Sequence, residues 1–458
     1  MSSSLLLRHN ASDTLVFEIM GKGWNAGFVP YRDFFDHKGP VLYLIQALGY
    51  SLLPGKLGVF LLEWLFAVVS FEILYRCGRI LGCPVVLNLF AVGVAMIFWA
   101  FTIELGNTTE EWSMPFEVLS LYLVLRYLKG VSSRIAVPAL IIGLCFGFVA
   151  MVRLNNNCII CGEALFFVAW FAYKRQFGSL AKVVAFFILG CLLAVLPFVI
   201  YFIVKGSVFD MVLANYTFNI DYLNKWAVET STMDYIRRIV RMIPCLVLPV
   251  AAYFYSGHGS KLIFPLMAAI SVVTFAVFFK GAGYIHYYVM IAPLAALCVQ
   301  VCAFNPRRGF FLGVLISFPY WGYQSYSLSK YLMQNVKEQD GDAILNGAVE
   351  FISENIPPAE RDSVYAMGMY RAVDALWRSG HYPVGKYFFL QDKFVRVNDF
   401  VKDDISRSFK AANPRWIVST FDLSDGAGPV EISNYYRFRT VSSADEDSDT
   451  IYFYIRAE

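Results

Sequence analysis

Between residues 57 and 331 the chain is a series of apolar runs of roughly 17–24 residues, separated by short polar connectors. The runs lie near 57–80, 84–103, 112–128, 134–153, 157–173, 182–205, 240–257, 261–279, 284–304 and 309–331. A run of about 20 apolar residues, rising 1.5 Å per residue as a helix, spans a hydrocarbon core of about 30 Å. One such run could be a buried helix of a soluble protein, but a single soluble core has no room for ten. Only 16% of the residues are charged and 58% are hydrophobic, whereas a soluble domain carries roughly 25% charge. The fold class expected is an α-helical polytopic membrane protein with about ten transmembrane helices. The net charge of +3 is too small for a phosphate-backbone partner, so nucleic acid is excluded.

The connectors alternate in character. One set is short and basic: Arg76 and Arg79; Arg126, Lys129 and Arg134; Lys174, Arg175 and Lys182; His258 and Lys261; Arg307 and Arg308. The positive-inside rule makes these cytoplasmic. The other set, ELGNTTEE (104–111), the long 206–239 segment and KGAGYIH (280–286), then faces out. Ten spans put both chain ends outside, yet no apolar segment precedes residues 1–56 to carry them across. The expectation is a helix ahead of Met1; the alternative is that 40–53 crosses, although about 14 residues suit the interface better.

Three parts follow: a polar and amphipathic leading loop (1–56), the helical membrane domain (57–331) and a soluble extracytoplasmic domain of mixed α/β type (332–458). In the last, 341–355 reads as a helix ended by Pro357 and Pro358, and 363–368, 415–420 and 450–457 read as strands. All nine cysteines lie in or beside the apolar runs. The Cys158–Cys161 pair has no second pair, so it reads as packed or lipid-facing thiols.

The leading loop is dense in ionisable groups. Asp13, Glu18, Asp33, Asp36, His37 and Lys38 fall within 26 residues. A loop that only connects needs few such groups at a membrane surface. A catalytic loop needs a base, and gains from cations that hold a phosphate.

The segment PYRDFFDHKGP resembles the first extracytoplasmic loop of the GT-C glycosyltransferases. The likeness is greatest to the protein O-mannosyltransferases (glycosyltransferase family 39) and their bacterial relatives, which include the lipid A aminoarabinose transferases. The resemblance matches an acidic residue at Asp13, Gly27 ahead of Pro30, Tyr31 and Asp33, and then Asp36, His37, Lys38 and Pro40. It implies a GT-C fold, a helix before the acidic residue and a soluble C-terminal domain. The chain departs from the mannosyltransferases at Lys38–Gly39, where they have proline. It also lacks their contiguous Asp-Glu pair, because Thr14 follows Asp13. Those departures point to the bacterial branch, and the sugar cannot be carried over.

On that resemblance, Asp13 is the first choice for general base, with Asp33 and Asp36 as runners-up. The plainer roles are a helix cap for Asp13 and turn formation for the other two. Lys38, Arg32 and His37 are candidates for the donor phosphate, against lipid-headgroup contact. Arg153 and His286, each at an outer membrane edge, are candidates for the same work, against snorkelling and a structural histidine. Glu110 and Glu111 are auxiliary acids, against stabilisation of a helix start. Arg237, Arg238 and Arg241 run against the charge rule on the outer side, which suggests an anionic ligand.

The residues call for no cofactor and form no metal cluster. A divalent metal between Asp13 and Glu110 or Glu111 is an alternative that spacing cannot decide. No Gly-rich phosphate loop follows a strand, which disfavours a nucleotide-sugar donor. The reading is a multi-pass enzyme of the cell (inner or plasma) membrane. It would move a sugar, with inversion, from a polyprenyl-phosphate donor to a glycan, lipid or protein hydroxyl outside the cytoplasm. The rivals are a transporter or flippase for a lipid-linked glycan and an inactive GT-C-like scaffold. A transporter would place its charges near the midplane of the bundle.

Overall fold

The computed structural model describes residues 12–103, 106–131, 135–226, 232–256, 262–279, 284–319, 342–424, 428–442 and 450–457, with Lys330 and Met333 besides. Two leading helices, α1 (Asp13–Asn25) and α2 (Pro40–Leu52), flank the motif-bearing loop. The apolar runs then form α3 (Leu57–Ile80), α4 (Val85–Ala100), α5 (Thr109–Leu128), α6 (Ala136–Arg153), α7 (Cys158–Tyr173) and α8 (Phe177–Val204). Two short helices, α9 (Val208–Val212) and α10 (Phe218–Trp226), come next, joined by a π-helical turn, Leu213–Thr217. The bundle ends with α11 (Thr232–Ser256), α12 (Ile263–Phe279), α13 (Ala292–Gln300), which a 3-10 stretch Ile285–Ile291 precedes, and α14 (Pro306–Pro319). The rest of the tenth expected span, and the side chains of Arg237, Arg238 and Arg241, lie outside the described residues.

Leu57–Ile80, Ala136–Asn156 and Phe177–Val204 are each long and apolar enough to cross a membrane, and Val85–Ala100, Cys158–Tyr173, Met242–Tyr255, Ile263–Phe279 and Ile285–Gln300 are shorter apolar helices. α8, with 28 residues, is about 42 Å long. It leaves Ile188, Leu192, Leu196 and Ile200 exposed along its length. Apolar faces of that extent do not stay open to water in a soluble monomer, whereas lipid solvates them. The chain is a multi-pass membrane protein. In the bundle, α6 and α8 cross backbone to backbone at Gly143 and Gly190. A β-carbon at Gly143 would stand 2.0 Å from Phe187 O, and one at Gly190 would stand 2.1 Å from Leu140 O. Small residues at such crossings let helices close where no hydrophobic effect drives them together.

α2 has 13 residues, about 20 Å of helix, short of a bilayer core. Leu44, Leu48 and Leu52 are exposed on one stripe while Tyr43 and Gln46 are buried on the other. That amphipathic pattern suits a helix lying at the interface.

The C-terminal domain carries a four-stranded sheet in the order β1-β2-β4-β3. β1 (Val364–Met367), β2 (Trp416–Ser419) and β4 (Ile451–Arg456) fall on the three runs read as strands. β1 and β2 are parallel, and β4 is antiparallel to both its neighbours. β3 (Tyr435–Val441) was not read from the sequence. It is an edge strand with most of its side chains exposed, so no buried face imposes alternation on YYRFRTV. α15 (Ala343–Asn355) starts at an Asp342 cap; α16 (Tyr370–Arg378), α17 (Gln391–Val397) and α18 (Asp399–Ala412) complete the domain. One continuous apolar core joins α1, the loop and α2 to this domain, and a second joins α4, α5, α7 and α11 to α14. The two ends of the sequence thus share a core.

Candidate active site

The loop between α1 and α2 is held by its own aromatic residues. Tyr31, fully buried, takes a positive φ of 68°, a conformation that costs about 1–3 kcal/mol and tends to mark functional sites. Its hydroxyl donates to Lys38 O at 2.7 Å. Asp36 is buried and acts as a bolt. The Tyr43 hydroxyl donates to one carboxylate oxygen at 2.7 Å, and the His37 N–H donates to the other at 2.7 Å. Asn219 on α10 donates to His37 O at 2.8 Å, and the Phe35 N–H donates to Lys386 O of the C-terminal domain at 2.8 Å. Gly39 sets the last constraint. Its N–H donates to Val152 O at 2.9 Å, and a β-carbon there would stand 1.9 Å from Met151 O. Only glycine permits that approach, which brings Lys38 to the end of α6, where Arg153 stands.

A cavity of about 370 Å³ opens at this place. Asp13, His37 and Lys38 line it with Glu110, Arg153 and His286. The outward-facing connectors of the sequence reading all contribute to it, and none of the basic connectors does. Lys38 Nζ stands 3.8 Å from Asp13 Oδ2 and donates to His37 Nε2 at 3.1 Å. Arg153 donates through Nη1 to Glu110 Oε1 at 2.9 Å and through Nη2 to the Tyr287 hydroxyl at 2.7 Å. These two contacts use two of the five N–H donors of the guanidinium. Phe17, Ile103, Val277 and Phe278 give the cavity an apolar wall beside this charge.

The protein walls around the cavity partly desolvate the Asp13 carboxyl, which raises its pKa, but the Lys38 ammonium and the Tyr370 hydroxyl outweigh this and hold it below the ordinary 3.8. Asp13 is therefore ionised at neutral pH and, 52% exposed, accessible as a proton acceptor. Asp36 is held well below 3.8 too: burial raises its carboxyl, but Lys38, His37 and Tyr43 together outweigh that. Burial and the neighbouring Lys38 push His37 below 6.5, leaving a neutral imidazole at pH 7 whose Nε2 can accept the hydrogen bond from Lys38.

Of the residues singled out from sequence, Asp13, His37, Lys38, Glu110, Arg153 and His286 come together around the cavity. Arg32, Asp33, Asp36 and Glu111 do not line it. Arg32 and Asp33 pair with each other at 2.7 Å, and Asp33 also accepts the Val29 N–H, which makes a surface turn. Glu111 closes a capping box with Thr108 at the start of α5. His286 stacks on Tyr284, with ring centroids 5.5 Å apart. Sequence reasoning missed Tyr287, Asn219, Tyr370 and Lys393, all of which line the cavity. The doublet Tyr287–Tyr288 after His286 was the one available signal. Nothing local marks Tyr370 or Lys393, which reach the site only because the C-terminal domain folds onto the loop.

Among the described residues no group of three or more His, Cys, Asp or Glu side chains is placed to hold a metal ion. Glu110 accepts from Arg153, and Glu111 closes the cap of α5.

A ten-run helical bundle with a motif-bearing first loop and a C-terminal α/β domain closing over it is the GT-C architecture. Two crystal structures of ArnT from Cupriavidus metallidurans share it. One, bound to undecaprenyl phosphate, superposes with a TM-score of 0.57 at 14% identity, covering 96% of this chain and 92% of that one. The other, in the apo state, superposes with a TM-score of 0.58 at 12% identity and the same coverage. No protein-family model and no curated protein sequence matches the chain. At such identities the likeness establishes the fold.

Proposed function

We propose that the protein is a membrane glycosyltransferase that takes a sugar from a polyprenyl-phosphate donor and passes it, with inversion, to an acceptor hydroxyl outside the cytoplasm. One observation carries the reading: the Asp13 carboxylate and the Lys38 and Arg153 cations meet in one cavity beside an apolar wall. Asp13 takes the proton of the acceptor hydroxyl as its oxygen bonds the anomeric carbon. The bond from that carbon to the phosphate oxygen breaks, and the electron pair leaves with the polyprenyl phosphate. A positioned base contributes typically 10²–10⁴-fold. Lys38 and Arg153 stabilise the charge that grows on the leaving phosphate, which is where preorganised donors act best. Phe17, Ile103, Val277 and Phe278 offer the lipid chain a place to lie. Undecaprenyl phosphate, the ligand of one ArnT structure, is a carrier of the required chemistry.

A transporter would need its polar groups along a path through the bundle. The buried Glu117 instead accepts the Ile159 and Ile160 N–H groups at the start of α7, and Glu163 holds Ser120, so both are engaged in helix packing.

The test is transfer in purified membranes from a panel of labelled polyprenyl-phosphate sugars. Transfer by the wild type that is lost in Asp13→Asn, with undecaprenyl-phosphate binding intact, supports the reading. Absence of transfer from every donor overturns it.

A further inference from the structure

One wall of the cavity belongs to the C-terminal domain, through Tyr370 on α16 and through Leu390, Lys393, Phe394 and Val397 at α17. The Tyr370 hydroxyl donates to Asp13 Oδ1 at 2.5 Å across 357 residues of chain. Lys38 faces the other oxygen, Oδ2.

The backbone beneath Tyr370 is fixed before any ligand arrives. Gln391, fully buried, accepts the Gly368 N–H at 2.8 Å and donates to Ala366 O at 2.8 Å and Tyr387 O at 2.9 Å. The Met369 N–H donates to Thr420 Oγ1 at 2.8 Å, and the Leu390 N–H donates to Gly368 O at 2.6 Å. Leu390 holds a positive φ of 49°, a conformation that a leucine avoids unless its surroundings impose it. The Tyr370 ring lies against Phe389, with centroids 5.7 Å apart. The tyrosine therefore has little freedom to leave Asp13.

Docking of the domain does not need this contact. Lys386 pairs with Asp210 at 2.7 Å, Asn398 donates to Asp221, and Phe35 packs between Phe218, Tyr387 and Phe394. A half-exposed hydrogen bond adds little to an interface anchored that way.

Building on Asp13 as the base, we propose that Tyr370 is a positioning residue: it holds Oδ1 of Asp13 and so presents Oδ2 to the acceptor's proton. The site is then complete only when the C-terminal domain is seated. The charged and titratable groups facing Asp13 are Lys38, Asp36 and His37 from the loop, Arg153 from α6, Tyr284 from the segment before α13, and Tyr370 itself. Tyr370 is one of those that lower the Asp13 pKa against its burial. Its removal moves that pKa up, and the acid limb of turnover moves to higher pH with it.

The experiment compares wild type and Tyr370→Phe in membranes, reading kcat and the KM of each substrate across pH, with undecaprenyl-phosphate binding and thermal stability measured alongside. The expected result is a kcat lower by on the order of tenfold, the loss of one hydrogen bond to a charged group. Donor KM and undecaprenyl-phosphate binding stay within about twofold, and the acid limb shifts upward. An unmoved acid limb overturns the proposal, whether or not kcat or stability falls, as does a change confined to donor KM. A ring-fluorinated tyrosine at position 370 keeps the shape should Tyr370→Phe not fold. As a stronger donor it should move the limb to lower pH, and an unmoved limb is again fatal. Wild type without transfer overturns the transferase reading and this proposal with it. Wild-type transfer with an unmoved limb overturns this proposal alone.

Discussion

The leading loop and the connector before α5 pose the same problem and solve it the same way. Each carries carboxylates a few residues apart that the sequence does not rank: Asp33 and Asp36 in one, Glu110 and Glu111 in the other. In the loop, Asp33 ties a surface turn to Arg32, while Asp36 is buried and bolts His37 and Tyr43 beside the cavity. In the connector, Glu111 caps α5, while its neighbour Glu110 meets Arg153 at the cavity wall. Chemically equivalent neighbours are sorted by geometry. One closes local backbone hydrogen bonds, which any loop or helix start requires. The other supports the cavity: Asp36 is buried and locks His37 and Tyr43 beside it, and Glu110 reaches Arg153 on another helix.

The sharpest break of that comparison is at Asp13, the one acid of the leading segment whose oxygens face the cavity. Asp13→Asn should lower transfer by roughly 10²–10⁴-fold without loss of undecaprenyl-phosphate binding, read in the membrane assay. If turnover survives, the sorting has been misread and the base lies elsewhere.

Gly39→Ala comes next. The added methyl would meet Met151 O, so the loop must move off α6 and separate Lys38 from Arg153. A displacement of an ångström costs about 10²-fold in rate, and steady-state transfer with a donor titration should show it.

Asp36→Ala and Asp33→Ala set the two loop acids against each other. The first strips a buried carboxylate from its donors and from the nearby lysine, and should cost about 3–5 kcal/mol in thermal unfolding of the detergent-solubilised protein. The second removes a surface ion pair and a turn contact, worth about 1 kcal/mol or less. Because Asp36 is depressed below 3.8 in the folded state, its stabilisation is complete above the ordinary carboxylate range. It is lost only as pH falls through the folded value, so the gap between wild type and Asp36→Ala should persist at pH 5 and close in stronger acid.

The smallest effects separate the glutamates. Glu110→Gln should raise donor KM by about tenfold, the value of one charge-assisted hydrogen bond that orients Arg153. Glu111→Ala should cost about 1 kcal/mol of stability through the lost cap and leave KM unchanged. The reverse outcome would exchange their roles.

Much of the architecture was legible from local pattern alone. The apolar runs fixed where the helices form, because a bilayer demands about 20 such residues and no soluble core can take ten of them. Three strands of the C-terminal sheet were visible through their buried, β-branched and aromatic residues, whereas β3, lying at an edge with its side chains in solvent, had nothing to show. The loop's density of charge marked a candidate region, and Asp13, Lys38, His37, Arg153, Glu110 and His286 line one cavity there. What the sequence could not decide was which acid does what, or that Tyr370 reaches Asp13 from the far end of the chain. Helix and strand periodicity follow from interactions a few residues long. Roles at a site follow from contacts such as that of Gly39 with Met151 O or Tyr370 with Asp13, whose partners only the tertiary structure brings into range.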